Sequence, residues 1–308
     1  GVNLLHGALH RWREPPAMIE LLLDDVGRER IELDWITVKG PAFPGIDNRL
    51  LALHLVRLGF TPAVLFDPQG VPQLASEAIR HSAVLVERGR FAPVTRLNLE
   101  MLALAREAFL ADGQTAAADV REIMEITMKN LRDRGQAEDA DFLARVDLLA
   151  ATGKLVLVSD LGAFHDLGEY LAARTVKRTG LVLGLPLVRE LFNERHYHNL
   201  TGGILEAFGR LFTHGVRLYV QPTRDVIDGH VVTADTLRVA PHLAHLLDHL
   251  RVNGLLCPLP YDETTLRTYS SEDVRSRICS GDPSWQDLVS PEVAALIESR
   301  GYFGGRCG

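Results

Sequence analysis

Short apolar runs rich in Val, Ile and Leu recur along this chain and alternate with stretches that have the period of amphipathic helices. Most of these runs show no polar alternation, which is what strands covered on both faces require. Alternating strands and helices are typical of a largely parallel sheet with helices on both faces. The sequence therefore predicts an α/β fold, with strands at 35–38, 63–66, 83–86, 155–158, 181–185, 218–220 and 255–256 and helices at 49–58, 164–173, 187–194, 204–213 and 240–252.

One stretch interrupts this alternation. Between residues 94 and 151, three helical patterns follow one another, at 97–110, 116–134 and 139–150, without a convincing strand. We interpret them as a helical subdomain inserted into the sheet or packed on it. The chain then divides into an N-terminal α/β part (1–93), the helical subdomain (94–151), a second α/β part (152–260) and a polar, turn-rich C-terminal extension (261–308).

The composition favours a soluble globular protein. Of the 308 residues, 46% are hydrophobic and 24% are charged, which is ordinary for a globular chain. The longest apolar runs reach about seven residues, whereas a membrane span needs about 20, and the start of the chain shows no pattern of a secretory signal. Cys257, Cys279 and Cys307 are too scattered for a disulfide framework and form no C-x-x-C pair for zinc. We therefore expect a cytoplasmic location and no membrane partner.

The charge pattern argues against nucleic acid as a partner. The formal net charge is -7, and basic residues are interleaved with acidic ones, as in segments 28–30 and 132–134. Nucleic-acid phosphates are bound by clustered lysines and arginines, which this pattern does not provide. We expect a small anionic molecule as the ligand, and the sequence leaves open whether the chain forms a homo-oligomer.

The loop 39–48, between a predicted strand and a predicted helix, is the first candidate for a binding site. In parallel α/β sheets, ligands lie outside the carboxyl ends of the strands. Gly40 and Gly45 permit close approach of a ligand to the backbone, Lys39 supplies a positive charge, and the following helix begins with exposed N–H donors. This combination predicts a cradle for an anion.

The spacing of Gly40 and Gly45 is also that of a phosphate-binding P-loop, but Ile46 and Asp47 stand where that motif has Lys and Ser or Thr. The lysine for the phosphate and the hydroxyl for magnesium are both missing, which excludes an ATP-hydrolysing P-loop. Two interpretations of the loop remain. In the first, one of the two residues Asp47 and Asn48 caps a helix behind a rigid turn. In the second, Asn48 contacts the ligand and Asp47 takes part in the chemistry.

Asp67 ends the second apolar run, and Gln69 follows it two residues later. This segment resembles the first motif of the haloacid-dehalogenase-type phosphohydrolases, in which an aspartate at the strand end is the nucleophile and a second one two residues on is the acid and base. The resemblance implies that Asp67 is the nucleophile, whereas Gln69 cannot exchange protons. Ser159, the pair Asp225 and Asp228, and the helical subdomain correspond in position to the hydroxyl, the magnesium ligands and the cap of that family.

Paired glycines open another predicted helix. Gly202 and Gly203 offer backbone donors to a ligand at its start. Glu206 and Arg210 lie four residues apart on one face of the same helix, an arrangement that is equally typical of an ordinary ion pair. We retain Gly202, Gly203 and Glu206 as candidate ligand contacts.

Three histidines share one face of the last predicted helix of the sheet region. His242 and His249 are separated by about two turns, or ~10 Å along the axis, which is too far for one ion to bridge. His245 lies between them without a further ligand that the sequence identifies. The sequence therefore specifies neither a metal nor a cofactor.

Four segments, 34–48, 125–131, 202–212 and 280–285, are similar to an uncharacterised bacterial protein family whose members match along nearly the whole chain. Labels associated with that family are nicotinate-nucleotide adenylyltransferase and TonB-dependent receptor. The first label implies a nucleotide ligand, with Lys39, Gly40 and Gly45 at its phosphate end. The sequence lacks the His-x-Gly-His-type motif with which such adenylyltransferases hold a triphosphate, since His54 and His81 have other neighbours.

Our leading hypothesis is an α/β enzyme that acts on a phosphorylated or carboxylated small molecule, for which a nucleotide is one candidate. A non-catalytic ligand sensor or scaffold and a degenerate phosphohydrolase are the alternatives. The catalytic candidates are Asp47, Asp67 and Asp160, and the candidate ligand contacts are Lys39, Gly40, Gly45, Asn48, Gly202, Gly203, Glu206 and Arg224.

Overall fold

The computed structural model of the chain describes residues 1–23, 30, 32–129, 138–225, 229–262, 266 and 269–303. Its strands are β1 (Ala63–Phe66), β2 (Pro72–Gln73), β3 (Ala83–Arg88), β4 (Val120–Thr127), β5 (Leu155–Ser159), β6 (Thr179–Gly184), β7 (Arg217–Gln221), β8 (Thr223–Arg224), β9 (Val231–Val232) and β10 (Leu256–Pro258). Its α-helices are α1 (Val2–His10), α2 (Pro15–Glu20), α3 (Asn48–Leu58), α4 (Ala75–Ala78), α5 (Arg96–Leu110), α6 (Glu138–Ala150), α7 (Phe164–Ala172), α8 (Leu185–Leu191), α9 (Gly203–Leu211), α10 (Ala244–Val252), α11 (Ser271–Ser280) and α12 (Pro291–Arg300).

Eight of these strands form one sheet, in the order β10-β7-β6-β3-β4-β5-β1-β2. From β10 to β5 the neighbouring strands are parallel, whereas β1 is antiparallel to both β5 and β2. Numbered along the chain, the parallel strands of this sheet follow the order 3-2-1-4-5-6, which is the order of the doubly wound folds that bind dinucleotides. The predicted α/β class with a mostly parallel sheet is confirmed.

Helices cover both faces of the sheet, as its apolar strands require. Helices α5 and α6 lie on one face together with α3, α11 and α12, and helices α7 to α10 lie on the other. The side chains of β3 alternate between the two cores, since Leu85 belongs to the first and Val86 to the second. The same alternation directs Glu87 toward α5 and Arg88 toward α7.

The structure corrects the prediction for residues 94–151. Strand β4 lies within the stretch 116–134 where a helix was predicted, and it occupies a central place in the sheet. Residues 130–134 of that prediction lie outside the described residues. Helices α5 and α6 are therefore connections between neighbouring strands rather than parts of a helical subdomain. The charged residues of β4, among them Arg121, Glu122 and Glu125, have a spacing that resembles the polar face of a helix. Glu125 is nevertheless fully buried, because Arg88 of the neighbouring strand pairs with it.

The prediction of a strand at 35–38 is wrong. The segment pairs with no described strand and is fixed by side chains, since Nε1 of Trp35 donates to the carbonyl oxygen of Pro72 at 3.1 Å. Ile36 and Val38 pack in a small separate core beside α2 and α3. Their apolar character therefore reflects this small core, and the loop 39–48 does not follow a strand of the sheet.

Within the described residues, no helix combines the length and the apolar character needed to cross a membrane. Cys257 is a free thiol, whereas Cys279 is disulfide-bonded, which the scattered cysteines did not lead us to expect. Burial raises the pKa of Cys257, so its thiol is a poor nucleophile near neutral pH.

A buried ion pair joins the carboxyl ends of β3 and β4. Nε and Nη2 of Arg88 donate to the two carboxylate oxygens of Glu125 at 2.7 and 2.8 Å, and Oγ of Ser159 donates to the same carboxylate at 2.6 Å. The remaining donors of Arg88 reach the carbonyl oxygens of Leu161 and Gly162 at 2.9 and 3.2 Å. Two buried charges are stable in this place because each is paired and hydrogen-bonded.

We expect Glu125→Gln to destabilise the fold by about 3 kcal/mol or more, because it leaves the guanidinium of Arg88 buried without a counter-charge. Urea unfolding with linear extrapolation measures the change. Asp248→Asn, which removes a carboxylate paired with Arg251 at the surface, is the control and should cost less than about 0.5 kcal/mol. Equal and small losses of stability in both variants would contradict the buried ion pair between Arg88 and Glu125.

Candidate functional site

A crevice of about 620 Å³ lies where the strand order reverses, between the carboxyl ends of β3 and β6. In open α/β sheets the connections on the two sides of such a reversal run to opposite faces, so a gap opens there in which ligands bind. The walls are the ends of β3, β6 and β7, the first turn of α5 and the segment that leads into α11. None of the site residues predicted from the sequence lines this crevice.

Glu87 is buried in the wall of this crevice, with 1% of its surface exposed. Its neighbours across the sheet are Met124 and Val182, which are apolar and fully buried. Oε1 of Glu87 accepts a hydrogen bond from Nδ2 of Asn98 at 2.7 Å, and Oε2 has no hydrogen-bond partner among the described residues. Burial raises the pKa of Glu87 well above its ordinary value, and the bond from Asn98 offsets only part of the rise.

Gln221 lies on the other side of the reversal, at the end of β7. Its side chain is 9% exposed, and Oε1 has no hydrogen-bond partner in the described part of the chain. Gly184 ends β6, the strand between β3 and β7, at the level of Gln221, and carries no side chain into the crevice. Buried side-chain oxygens are nearly always hydrogen-bonded. Two such oxygens in one crevice, those of Glu87 and Gln221, indicate a place suited to polar groups of a bound molecule.

Positive charge lies at the same carboxyl ends of the strands. Arg90 lines the crevice and is exposed, and its side chain has no hydrogen bond or ion pair with the described residues. Its carbonyl oxygen accepts a hydrogen bond at 2.9 Å from Nη1 of Arg145, a buried residue that also pairs with Asp141. Burial lowers the pKa of Arg145, and the like charges of Arg90 and Arg275 add to the effect. An anion at this edge would reduce the repulsion between the guanidinium groups.

The turn after β3 holds the first wall of the crevice in place. Gly89 is required there, because a Cβ would lie 2.6 Å from the ring of Phe91, and Phe91 itself has a positive φ of 41°. Thr95 then begins α5 with a capping box. In that box Oδ1 of Asn98 accepts from the N–H of Thr95 at 3.0 Å, which orients Nδ2 of Asn98 toward Glu87.

The candidates of the loop 39–48 are occupied mainly by local contacts. Asp47 is the N-cap of α3, and its carboxylate accepts from the backbone N–H of Arg49 at 2.9 Å and from the guanidinium at 2.7 Å. Burial would raise the pKa of Asp47, but these bonds hold it below the ordinary value. The side chain of Asn48 exchanges two hydrogen bonds with the backbone of Val38, at 2.8 and 3.2 Å. The capping interpretation fits this geometry, and a role for Asp47 in chemistry stays a prediction.

Lys39 and Gly45 line a second opening, a groove of about 540 Å³ whose other wall is segment 69–72. Gly40 has a φ of 131°, a conformation that favours glycine, and turns the chain beside it. The groove borders β2 and the end of β1, which pair beside the start of β5. It therefore lies at the end of the sheet opposite to the crevice.

The structure separates Asp67 from Asp160. Since β1 is antiparallel to β5, the carboxyl end of β1 lies beside the start of β5. Asp160 lies at the other end, where its N–H donates to the carbonyl oxygen of Pro62 at 2.8 Å. The carboxylate of Asp67 accepts hydrogen bonds from the backbone of Gln69 and Val71, both at 2.9 Å, in the turn before β2. The two aspartates therefore cannot act on one substrate atom.

The remaining candidates line neither opening, and Arg224 directly follows Thr223, which lines the crevice. The N–H of Gly202 donates to Oε2 of Glu206 at 2.8 Å, so Glu206 caps its own helix, and Gly203 has a φ of 55° in this turn. Arg210 pairs with acidic residues of α7. Arg224 donates to a carbonyl oxygen of its own hairpin at 3.2 Å. None of these residues lines the crevice or the groove.

Metal binding has no support in the described part of the chain, where no group of three or more His, Cys, Asp or Glu side chains could hold an ion. Asp228, one of the two aspartates matched to magnesium ligands, lies outside the described residues. Ser159 is fully buried and bonded to Glu125, and it lies at the opposite end of the sheet from Asp67.

Comparison with protein-family models gives no match to this chain, and comparison with curated proteins gives none either. The resemblance to an uncharacterised bacterial family and its labels therefore stay predictions. Fold and crevice together define a doubly wound α/β protein with a candidate small-molecule site at the reversal of its strand order.

The sequence carries a signal for this crevice, although it contains no known motif there. Glu87 and Arg88 continue an apolar run without an intervening turn, and Gln221 continues another. A charged or polar residue that continues a buried strand is costly unless it is paired or functional. Asp67 differs from them, because it lies in the turn after its strand.

We expect Glu87→Gln to stabilise the protein increasingly as the pH rises above about 4.5, the ordinary pKa of the carboxyl group. Above that pH the unfolded chain releases the proton while the folded chain keeps it, so the parent loses stability with rising pH, by up to about 1.4 kcal/mol per unit, until the folded-state pKa is reached. Glu87→Gln lacks this loss.

Urea unfolding of the parent and Glu87→Gln from pH 4.5 to 8 measures the difference in stability. Glu107→Gln, at an exposed position of α5, is the matched control and should follow the parent. A difference between Glu87→Gln and the parent that does not grow with pH would show that Glu87 is ionised in the folded protein.

Proposed function

We propose that this protein is an α/β enzyme that binds a phosphorylated or carboxylated small molecule, with a nucleotide as one candidate, in the crevice between β3 and β6. One observation carries the proposal: Glu87 and Gln221 both line this crevice, and the side-chain oxygens Oε2 of Glu87 and Oε1 of Gln221 are buried without partners among the described residues. A ligand with both hydrogen-bond donors and acceptors would satisfy them.

The size and lining of the crevice support a small molecule. Ligand sites in proteins have volumes of about 300–1,000 Å³ and combine apolar walls with a few polar groups that orient the ligand. Here the apolar walls come from Leu97, Met101 and Leu185, and the buried polar groups come from the strand ends. A planar base or a sugar ring would fit between such walls.

The charge of the surroundings supports an anionic group on that molecule. Arg90 lines the crevice without an ion-pair partner in the described chain. Helix α5 directs its N-terminus at the same place, where the partial positive charge of a helix favours phosphate or carboxylate. The phosphate end of the ligand would therefore lie near Arg90 rather than near Lys39.

A non-catalytic sensor is the alternative function. It would use the same crevice, and it is favoured by the local role of Asp67, whose carboxylate is engaged in a turn. A sensor predicts stabilisation by a ligand without turnover of that ligand. The groove beside Lys39 remains a second proposed place for an anion.

Thermal unfolding in the presence of AMP, ADP, ATP, NAD, ribose 5-phosphate and citrate tests the proposal, since a ligand at 100 times its dissociation constant stabilises the folded state by about 2.7 kcal/mol. We expect Arg90→Ala and Gln221→Leu each to weaken the binding of the stabilising compound about tenfold. Arg238→Ala, at an exposed position outside the crevice, is the control and should bind like the parent.

Lys39→Ala distinguishes the two openings. If it weakens binding while Arg90→Ala and Gln221→Leu do not, the ligand occupies the groove and the proposal for the crevice fails. Consumption of the stabilising compound, followed by chromatography, then separates an enzyme from a sensor.

A further inference from the structure

We propose that Glu87 acts in the crevice as a neutral carboxylic acid, whose O–H donates a hydrogen bond to an anionic oxygen of the ligand. This inference rests on the proposed function and deepens it, because it names the ligand group that the buried end of the crevice selects. A phosphate or carboxylate oxygen would accept this hydrogen bond, whereas a hydroxyl or ammonium donor would find no acceptor of full negative charge there.

The geometry of Glu87 leaves one oxygen for the ligand. Oε1 already accepts the hydrogen bond of Asn98, whose own orientation is fixed by the capping box with Thr95. Oε2 is buried and has no partner in the described chain, and Glu87 is one of the residues that line the crevice. An ionised carboxylate in this place would keep a negative charge on a buried oxygen that has no hydrogen-bond donor among the described residues, which costs more than protonation. The proton therefore belongs on Oε2.

No cationic side chain among the described residues pairs with Glu87, so only the partial positive charge at the start of α5 acts against the cost of its burial. In the sheet its neighbours are Met124 of β4 and Val182 of β6, both apolar. From α5 the contact is the neutral amide of Asn98, and Arg88, the next residue in β3, points to the other face and is paired with Glu125.

The other charged groups near the crevice are engaged or lie at its edge. Asp273 at the start of α11 lines the crevice, and its carboxylate accepts two hydrogen bonds from Ser270, at 2.6 and 2.8 Å. Arg145 of α6 is paired with Asp141. Arg275 of α11 lies beside Arg145, and Tyr269 accepts a hydrogen bond from the backbone of α5. Burial is accordingly the dominant influence on Glu87, and it raises the pKa.

A hydrogen bond from a neutral acid to an anion explains how buried Glu87 and exposed Arg90 can serve one ligand. An ionised Glu87 would repel the anion that Arg90 attracts, whereas a protonated Glu87 contributes a short, charge-assisted bond. Binding then requires the proton. As the pH rises above the pKa of Glu87 in the free crevice, affinity falls by up to about tenfold per pH unit.

The experiment compares the parent, Glu87→Gln and Glu87→Met by calorimetric titration with AMP, ribose 5-phosphate and inorganic phosphate between pH 5.5 and 9. Glutamine keeps a donor at the position of Oε2 but cannot ionise, and methionine keeps the volume without a donor. The charge of each probe changes identically for all three proteins, so the difference between their pH profiles reports Glu87 alone.

We expect Glu87→Gln to retain binding and to lose the part of the decline at high pH that the parent shows. Glu87→Met should bind about tenfold to a hundredfold more weakly than the parent at pH 6. Weaker binding in Glu87→Gln than in the parent at pH 6 would overturn the inference, because it means that Glu87 serves as an ionised acceptor. Equal binding by Glu87→Met and the parent would overturn it as well, because it means that Glu87 does not touch the ligand.

Failure of the proposed function gives a different result. In that case the binding of no probe depends on Arg90 or Gln221, and both the proposed site and the inference about Glu87 are wrong. If binding depends on Arg90 and Gln221 while Glu87→Gln abolishes it, the site stands and only the neutral acid is wrong. Urea unfolding without ligand is an independent test. If the stability of Glu87→Gln relative to the parent does not increase with pH, Glu87 is not a neutral acid in the folded protein.

Discussion

Arg88 and Glu125 meet at the carboxyl ends of two neighbouring strands, where each charge alone would be too costly to bury. Their contact fixes the register of β3 against β4 at the edge of the sheet that carries the crevice. Because side chains alternate along a strand, it also commits Glu87 to the opposite face, toward α5. The ion pair between Arg88 and Glu125 therefore determines that Glu87 faces the crevice.

Much of the fold follows from the sequence because it depends on local patterns. The apolar runs at 63–66, 83–86 and 155–158 are strands in the structure, since residues covered on both faces have to be apolar along their whole length. Strand β4 was not predicted, because its charges are paired with residues distant in sequence. Segment 35–38 was wrongly predicted as a strand, because its apolar residues pack in a separate small core. Neither circumstance is visible in the segment itself.

The candidate site was harder to predict than the fold, because it depends on strand order. The rule that ligands bind at the carboxyl ends of strands was applied to Lys39 and Asp67, but 35–38 is no strand and β1 is antiparallel. Glu87 and Gln221 follow β-strand runs that were predicted correctly, yet only the order in which β3, β6 and β7 pair brings them to one crevice. That order has no local signature in the sequence.

The antiparallel direction of β1 has a consequence for how this protein should be titrated. It places the groove of Lys39 and the crevice of Glu87 at opposite ends of one sheet, with the length of the strands between them. Molecules in the two openings would not collide, so a compound with affinity for both would bind with a stoichiometry of two, and a saturating ligand in one opening would leave the other free to be titrated separately.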